Sequence, residues 1–292
     1  MIKNILVSIV ALFISINTYG VSLAVFYPLQ FPLVWPDGYL LRLSLIEGQL
    51  RNFYGLDLSL IGNRTSGKFV GSGFSSLYNI NNNALVIGGQ AAFGLNYNKA
   101  STTILGLQLG GVNVNSGSGT VVGAQLGWLT NYSPQSTIVG FQMAPLYSYA
   151  DKTAGYQIAG IAHAKKNFIA QYGAITLSES VYGAQEGAIN YSDKVYGAQV
   201  GMFSIAQDMY GFQFGYFTGA DKMVGWQWAM FLATNSEVTG LQSSMVNFSG
   251  KVSGIQVGYI NFAKHLEGIQ IGLINIAGNA LIPITPGINM AF

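Results

Sequence analysis

Residues 182–280 read as one phrase written seven times: YGAQEGAINYSDKV (182–195), YGAQVGMFSIAQDM (196–209), YGFQFGYFTGADKM (210–223), VGWQWAMFLATNSEV (224–238), TGLQSSMVNFSGKV (239–252), SGIQVGYINFAKHL (253–266) and EGIQIGLINIAGNA (267–280). The period is 14 residues, with one copy of 15. Each copy carries a Gly, taken as position 0, and a Gln at +2. Positions 0, +2 and +4 are small or polar, whereas +1, +3 and +6 are mostly apolar. An alternation of period two marks a β-strand. The change of phase between +4 and +6 marks a bulge or a corner. A short fixed period means that each unit buries itself only against its neighbours.

The pattern extends upstream with looser spacing. Marker glycines fall at Gly55, Gly71, Gly88, Gly106, Gly123, Gly140 and Gly155, with Ile169 in the glycine place before Gly183. That makes fifteen units between residues 55 and 278. The extra residues of the early units are turn formers, such as Asn63 to Gly67 and Asn81 to Asn83. Charges follow the same phase. Thirteen of the fifteen charged residues from Asp151 to Glu267 fall ten to twelve residues after a marker, the exceptions being Glu186 and Glu267. The turns between units are therefore wet and the strands almost uncharged.

Composition narrows the class. Half of the residues are hydrophobic and only 8% are charged, against about 25% in ordinary soluble domains. A net charge of +2 gives no electrostatic footprint for nucleic acid. The start resembles a secretory signal: Lys3, an apolar core from Ile5 to Ile16, and Thr18-Tyr19-Gly20 as a cleavage site. The expected division is a signal peptide over 1–20 and one repeat-built β domain over 21–292. With no Cys, an exported chain has no disulfide framework.

Two architectures fit. One is an all-β, antiparallel transmembrane barrel of about 18 strands, one strand and one turn per unit. Its apolar residues face lipid, and Gln185, Gln199, Gln213 and Gln227 line the lumen. The other is a β-solenoid with one coil per unit and apolar residues inside, where the same glutamines stack in a ladder. Ala184 and Ala198 share position +1 with Phe212 and Trp226. A packed core resists such size changes and a lipid-facing wall tolerates them, which favours the barrel. The closing ITPGINMAF, with Ile288, Met290 and Phe292 alternating, resembles the last strand of outer-membrane barrels, with Phe292 as the assembly signal. Pro286 departs from that pattern.

The phrases YGLDLSLIGN (54–63), GLQLGGVN (106–113), SGIQVGYINFAK (253–264) and EGIQIGLINIAG (267–278) resemble the bacterial surface-repeat proteins first described in leptospires. The resemblance covers most of the mature chain. It implies a cell-surface or outer-membrane location, and it brings no reaction and no functional residues.

No constellation for catalysis is legible. His163 and His265 lie in the inter-unit turns without clustered carboxylates, short of what a metal needs. GLQLGG at 106–111 is a repeat unit rather than a dinucleotide loop, because no helix follows it. Trp226 and Trp228 could stack a sugar, but fit a lipid-facing wall or core better. Neither an enzyme nor a cofactor is expected. The expectation is an exported outer-membrane or surface protein, structural or weakly selective as a pore. Its partners would be the bacterial outer membrane, the outer-membrane assembly machinery and further copies of itself, with no nucleic acid. The alternative is a soluble solenoid for adhesion or binding, with the variable loops between Asn63 and Ser136 as its contact surface.

Overall fold

The structure, a computed structural model, describes residues 21–26, 29–31 and 40–292. The expected signal peptide lies outside the described residues. The described residues form two compact units, divided between residues 151 and 152. Each is a β-solenoid in which successive repeats stack in parallel and in register.

In the first unit Gly55 pairs with Gly71, Gly71 with Gly88, Gly88 with Gly106 and Gly106 with Gly123. A second row of short strands, Glu47–Leu50, Gly62–Thr65 and Tyr78–Asn82, stacks in parallel alongside. In the second unit Gly240 pairs with Gly254 and Gly254 with Gly268, again in parallel.

This pairing overturns the antiparallel barrel and, with it, the porin-like reading. The physical reason lies in two positions of the repeat. The phase change between +4 and +6 is a corner, so one unit makes two short strands that turn back on themselves. The marker glycine is the second cause. Gly211 has φ of +130°, and a Cβ there would collide with the carbonyl oxygen of Gly197 one coil below. Glycine takes both that backbone conformation and that approach without strain.

Ile169 occupies the same place with φ of +104°. A β-branched residue held there stores strain of about 1–3 kcal/mol, less the entropy that a glycine loses on folding, about 0.5–1 kcal/mol. Ile169→Gly should therefore stabilise the second unit by about 1 kcal/mol. Chemical denaturation of the two proteins checks it; a less stable variant would mean that the Ile169 side chain contributes packing that outweighs the strain.

The ends of the stacks are closed by antiparallel strands. Val21–Phe26 pairs antiparallel with Leu29–Phe31. At the other end Ile284–Ala291 runs back along Ile260–Ala277, from Gly268 opposite Ala291 to Ile276 opposite Ile284. Such a strand removes the row of open backbone groups that a bare last coil would present. Pro286 falls where that register slips, on the outermost strand, where its missing donor is harmless. Phe292 follows the strand and is 95% exposed. Among the described residues no helix is long and apolar enough to cross a membrane.

The solenoid is built inside out relative to the expected one. The solenoid alternative placed the apolar residues inside the coils, whereas the barrel reading had them outward and the glutamines inward. The buried residues include Gln at +2 in every late copy and Asn, Ser or Thr at +7 in most, while Trp226, Phe203, Ile205 and Met202 are exposed. Arg42 and Ser44, which alternate with Leu43 and Leu45, likewise point inward while the leucines point out.

Candidate functional site: an apolar wall over a polar core

Each coil of the second unit has three zones. The +2 glutamines form a ladder along the stack. Nε2 of Gln199 donates to Oε1 of Gln185 at 2.9 Å, Gln213 to Gln199 at 2.8 Å, Gln227 to Gln213 at 2.7 Å and Gln242 to Gln227 at 3.1 Å. The ladder continues downward through Gln171 to Gln157 and upward through Gln256 to Gln270. Each amide carries two donors and an accepting oxygen, so identical amides in register can bond to one another indefinitely. The spare Nε2 proton crosses the coil: Gln199 donates to the carbonyl of Ile205 and Gln270 to that of Ile276, both at 3.1 Å. Asn at +7 holds the corner. Asn261 donates to Asn275 Oδ1 at 2.7 Å and to the carbonyl of Ile271 at 2.9 Å.

The second zone is a narrow apolar core at −2 and +9. Val195, Met209, Met223, Val238, Val252 and Leu266 stack there with Ala206, Ala220, Ala263 and Ala277. It lies directly beneath the polar turn at +10 to +12. That turn is the charged edge, where Lys194 faces Asp208 at 4.0 Å and Gln207 donates to Asp193 at 3.0 Å. Lys251 pairs with Glu267 at 2.9 Å. The hydrogen bonds from Lys251 and Ser253 hold the Glu267 carboxyl below its ordinary range.

The third zone is the outer wall. Rows of identical position stack ring on ring: Phe214 on Trp228 at +3, 4.4 Å between centroids; Phe203 on Phe217 at +6, 5.1 Å; Phe248 on Phe262 at +8, 4.5 Å. The corner at +5 carries Met202, Tyr216, Met230, Met245, Tyr259 and Leu273, all exposed. Row +3 is broken by Glu186 and Ser243. Glu186 is exposed beside a depression of about 520 Å³ floored by Gly173, Gly187 and Gly201. Next to the charged edge, at −1, Phe168, Tyr182, Tyr196 and Tyr210 stack at 5.0–5.1 Å. Lys222 at the edge lies over the ring of Tyr210. The wall is therefore apolar where the core beneath it is polar, and charged where the core beneath it is apolar.

The first unit repeats the plan. Gln125 donates to Gln108 at 3.0 Å and Gln142 to Gln125 at 2.9 Å. Asn79, Asn96, Asn113 and Asn131 form a parallel ladder at 2.7–2.9 Å. Phe53, Phe69, Val86, Ile104, Val121 and Ile138 make the apolar core at −2. On the wall, a groove of about 740 Å³ is lined by Leu43, Leu60, Phe74, Phe93 and Trp128. Inside this unit Arg42 and Asp57 form a buried pair, with Nε to Oδ1 at 2.8 Å and a second, shorter bond between Nη2 and Oδ2. Nη2 also donates to Asn63 at 3.1 Å. Burial pushes the Asp57 carboxyl above its ordinary range and Arg42 pulls it back.

The four glutamines singled out in sequence, Gln185, Gln199, Gln213 and Gln227, thus sit together in one buried ladder. The two histidines stay apart from any ligand set: His265 is exposed at the edge, and partial burial holds the His163 imidazole below its ordinary range while Glu179 pulls it up. Among the described residues no group of three or more His, Cys, Asp or Glu could hold a metal. Sequence reading missed the Arg42–Asp57 pair. Its signal was present, because Arg42 falls on the same inward phase as the glutamines once the alternation is read as inverted. Comparison with protein-family models, curated proteins and solved structures finds no match.

Proposed function

We propose that this chain is a non-catalytic, exported bacterial surface-repeat module that docks on a lipid membrane through the outer wall of its coils. One observation carries the reading: the aromatic and aliphatic rows point outward over a hydrogen-bonded amide core. In water such an arrangement forgoes burial worth about 25 cal/mol per Å² of apolar surface. Against hydrocarbon it is favourable, because the amide ladders satisfy most of the core polar groups within the stack. The secretory-like start and the resemblance to leptospiral surface repeats support the exported location.

Vesicle flotation tests it. The protein should float with phosphatidylcholine vesicles and should need detergent to stay dispersed without them. From residue 152 to 292 seven lysines balance seven carboxylates. Binding by that unit should therefore change little between low and high salt, since no net charge is available for screening. A protein that stays monomeric in plain buffer and does not float would overturn the membrane reading. A soluble binding module is the second reading, favoured by the 740 Å³ apolar groove of the first unit.

A further inference from the structure

We propose that the second unit enters a single leaflet of the bilayer edge-up, with its charged edge in water and its +5 corner at the deepest point. The proposal rests on the membrane-docking reading above and assigns the depth and orientation that reading leaves open. Four observations point to it. The apolar wall covers both faces of the coil and continues around the corner, so a flat protein partner could cover only one of its sides. A fluid that wraps the corner is the better fit. The charges fall on one edge only, from Asp193 to Lys264. The stacked row Tyr182, Tyr196, Tyr210 borders that edge, which is the level at which tyrosine settles in a bilayer. The height also matches. From −1 to +5 is six residues of strand, about 20 Å at 3.3 Å per residue, and less where the chain bends at the marker glycine. One leaflet of a hydrocarbon core is about 15 Å deep. The corner therefore reaches the midplane and stops short of the far headgroups.

Glu186 gives the orientation a handle. Apart from Glu267 at −1, which Lys251 pairs at the edge, it is the one charge on the wall of this unit, two residues short of Ala188 at the corner. In the leaflet it must give up its hydration or its charge, a smaller cost than that of a Lys or Arg at the same depth. Glu186→Gln should strengthen vesicle partitioning by about tenfold. Glu237→Gln, at the charged edge, should leave it unchanged.

The chain has no cysteine, so single nitroxide labels at Met202→Cys (corner) and Asp208→Cys (edge) report depth directly on phosphatidylcholine vesicles. The expected result is a corner label that collides with oxygen and not with a water-soluble nickel chelate, and an edge label that does the reverse. If neither variant nor the wild-type chain binds vesicles, the docking reading fails first. If the protein binds but both labels meet the chelate, it lies on the headgroups and the leaflet proposal is wrong. Reaction of the corner cysteine with an impermeant reagent sealed inside the vesicles would mean spanning, which also overturns it. Protection of the corner label without lipid, with a doubled mass in solution, would assign the wall to a second copy of the chain.

Discussion

Gly211→Ala should destabilise the second unit by about 3–5 kcal/mol, combining strain at a forbidden backbone angle with overpacking. The added Cβ meets the carbonyl oxygen of Gly197, while Gly211 itself holds φ of +130°. Neither conflict has a local escape. The carbonyl belongs to the coil below, which is fixed in turn by Gly183 beneath it. Any shift would also stretch the Gln213 to Gln199 bond of 2.8 Å. Gly219→Ala is the matched control, because Gly219 has an ordinary φ and its Cβ would meet only Thr234 Oγ1 at 3.2 Å and the Thr234 carbonyl at 3.5 Å. It should cost less than about 1 kcal/mol, the range for a substitution away from special backbone features. Urea denaturation in mild detergent reads both. Equal effects at the two sites would show that the marker glycines do not carry the stacking.

Removal of the Asp57 carboxylate should be as damaging to the first unit. Asp57→Ala leaves the Arg42 guanidinium, 1% exposed, with only Asn63 as a neutral partner. An uncompensated buried charge costs about 3–5 kcal/mol. The paired replacement Arg42→Met with Asp57→Leu removes both charges at once and should recover most of that loss. If the single variant were nearly as stable as the wild type, water must reach Arg42 and the site would not be dry.

Much of this plan was legible in the chain. The 14-residue period, the two-residue alternation and the clustering of charge at one phase each follow from local chemistry. A Gly, a Gln and an Asn recur because each coil asks the same thing of the same place. The glutamine ladder was legible for that reason. An amide presents both donors and an acceptor, so a row of them can repeat without end.

The partner of each strand was not legible. A two-residue period is shared by an antiparallel barrel and a parallel coil, and only the corner between +4 and +6 separates them. Parallel stacking needs in addition the three-dimensional fit of Gly211 over the carbonyl of Gly197, a contact between residues fourteen apart that no window of local sequence contains. The same holds for which face is inside. Alternation says that Leu43 and Arg42 point opposite ways, and not which of them meets water. Tertiary structure decided it: Asp57 lies in the next coil, at the same register position as Arg42, and the pair draws both side chains inward. Once that face is interior, pleat geometry leaves the leucines, tryptophans and phenylalanines no place but the outer wall.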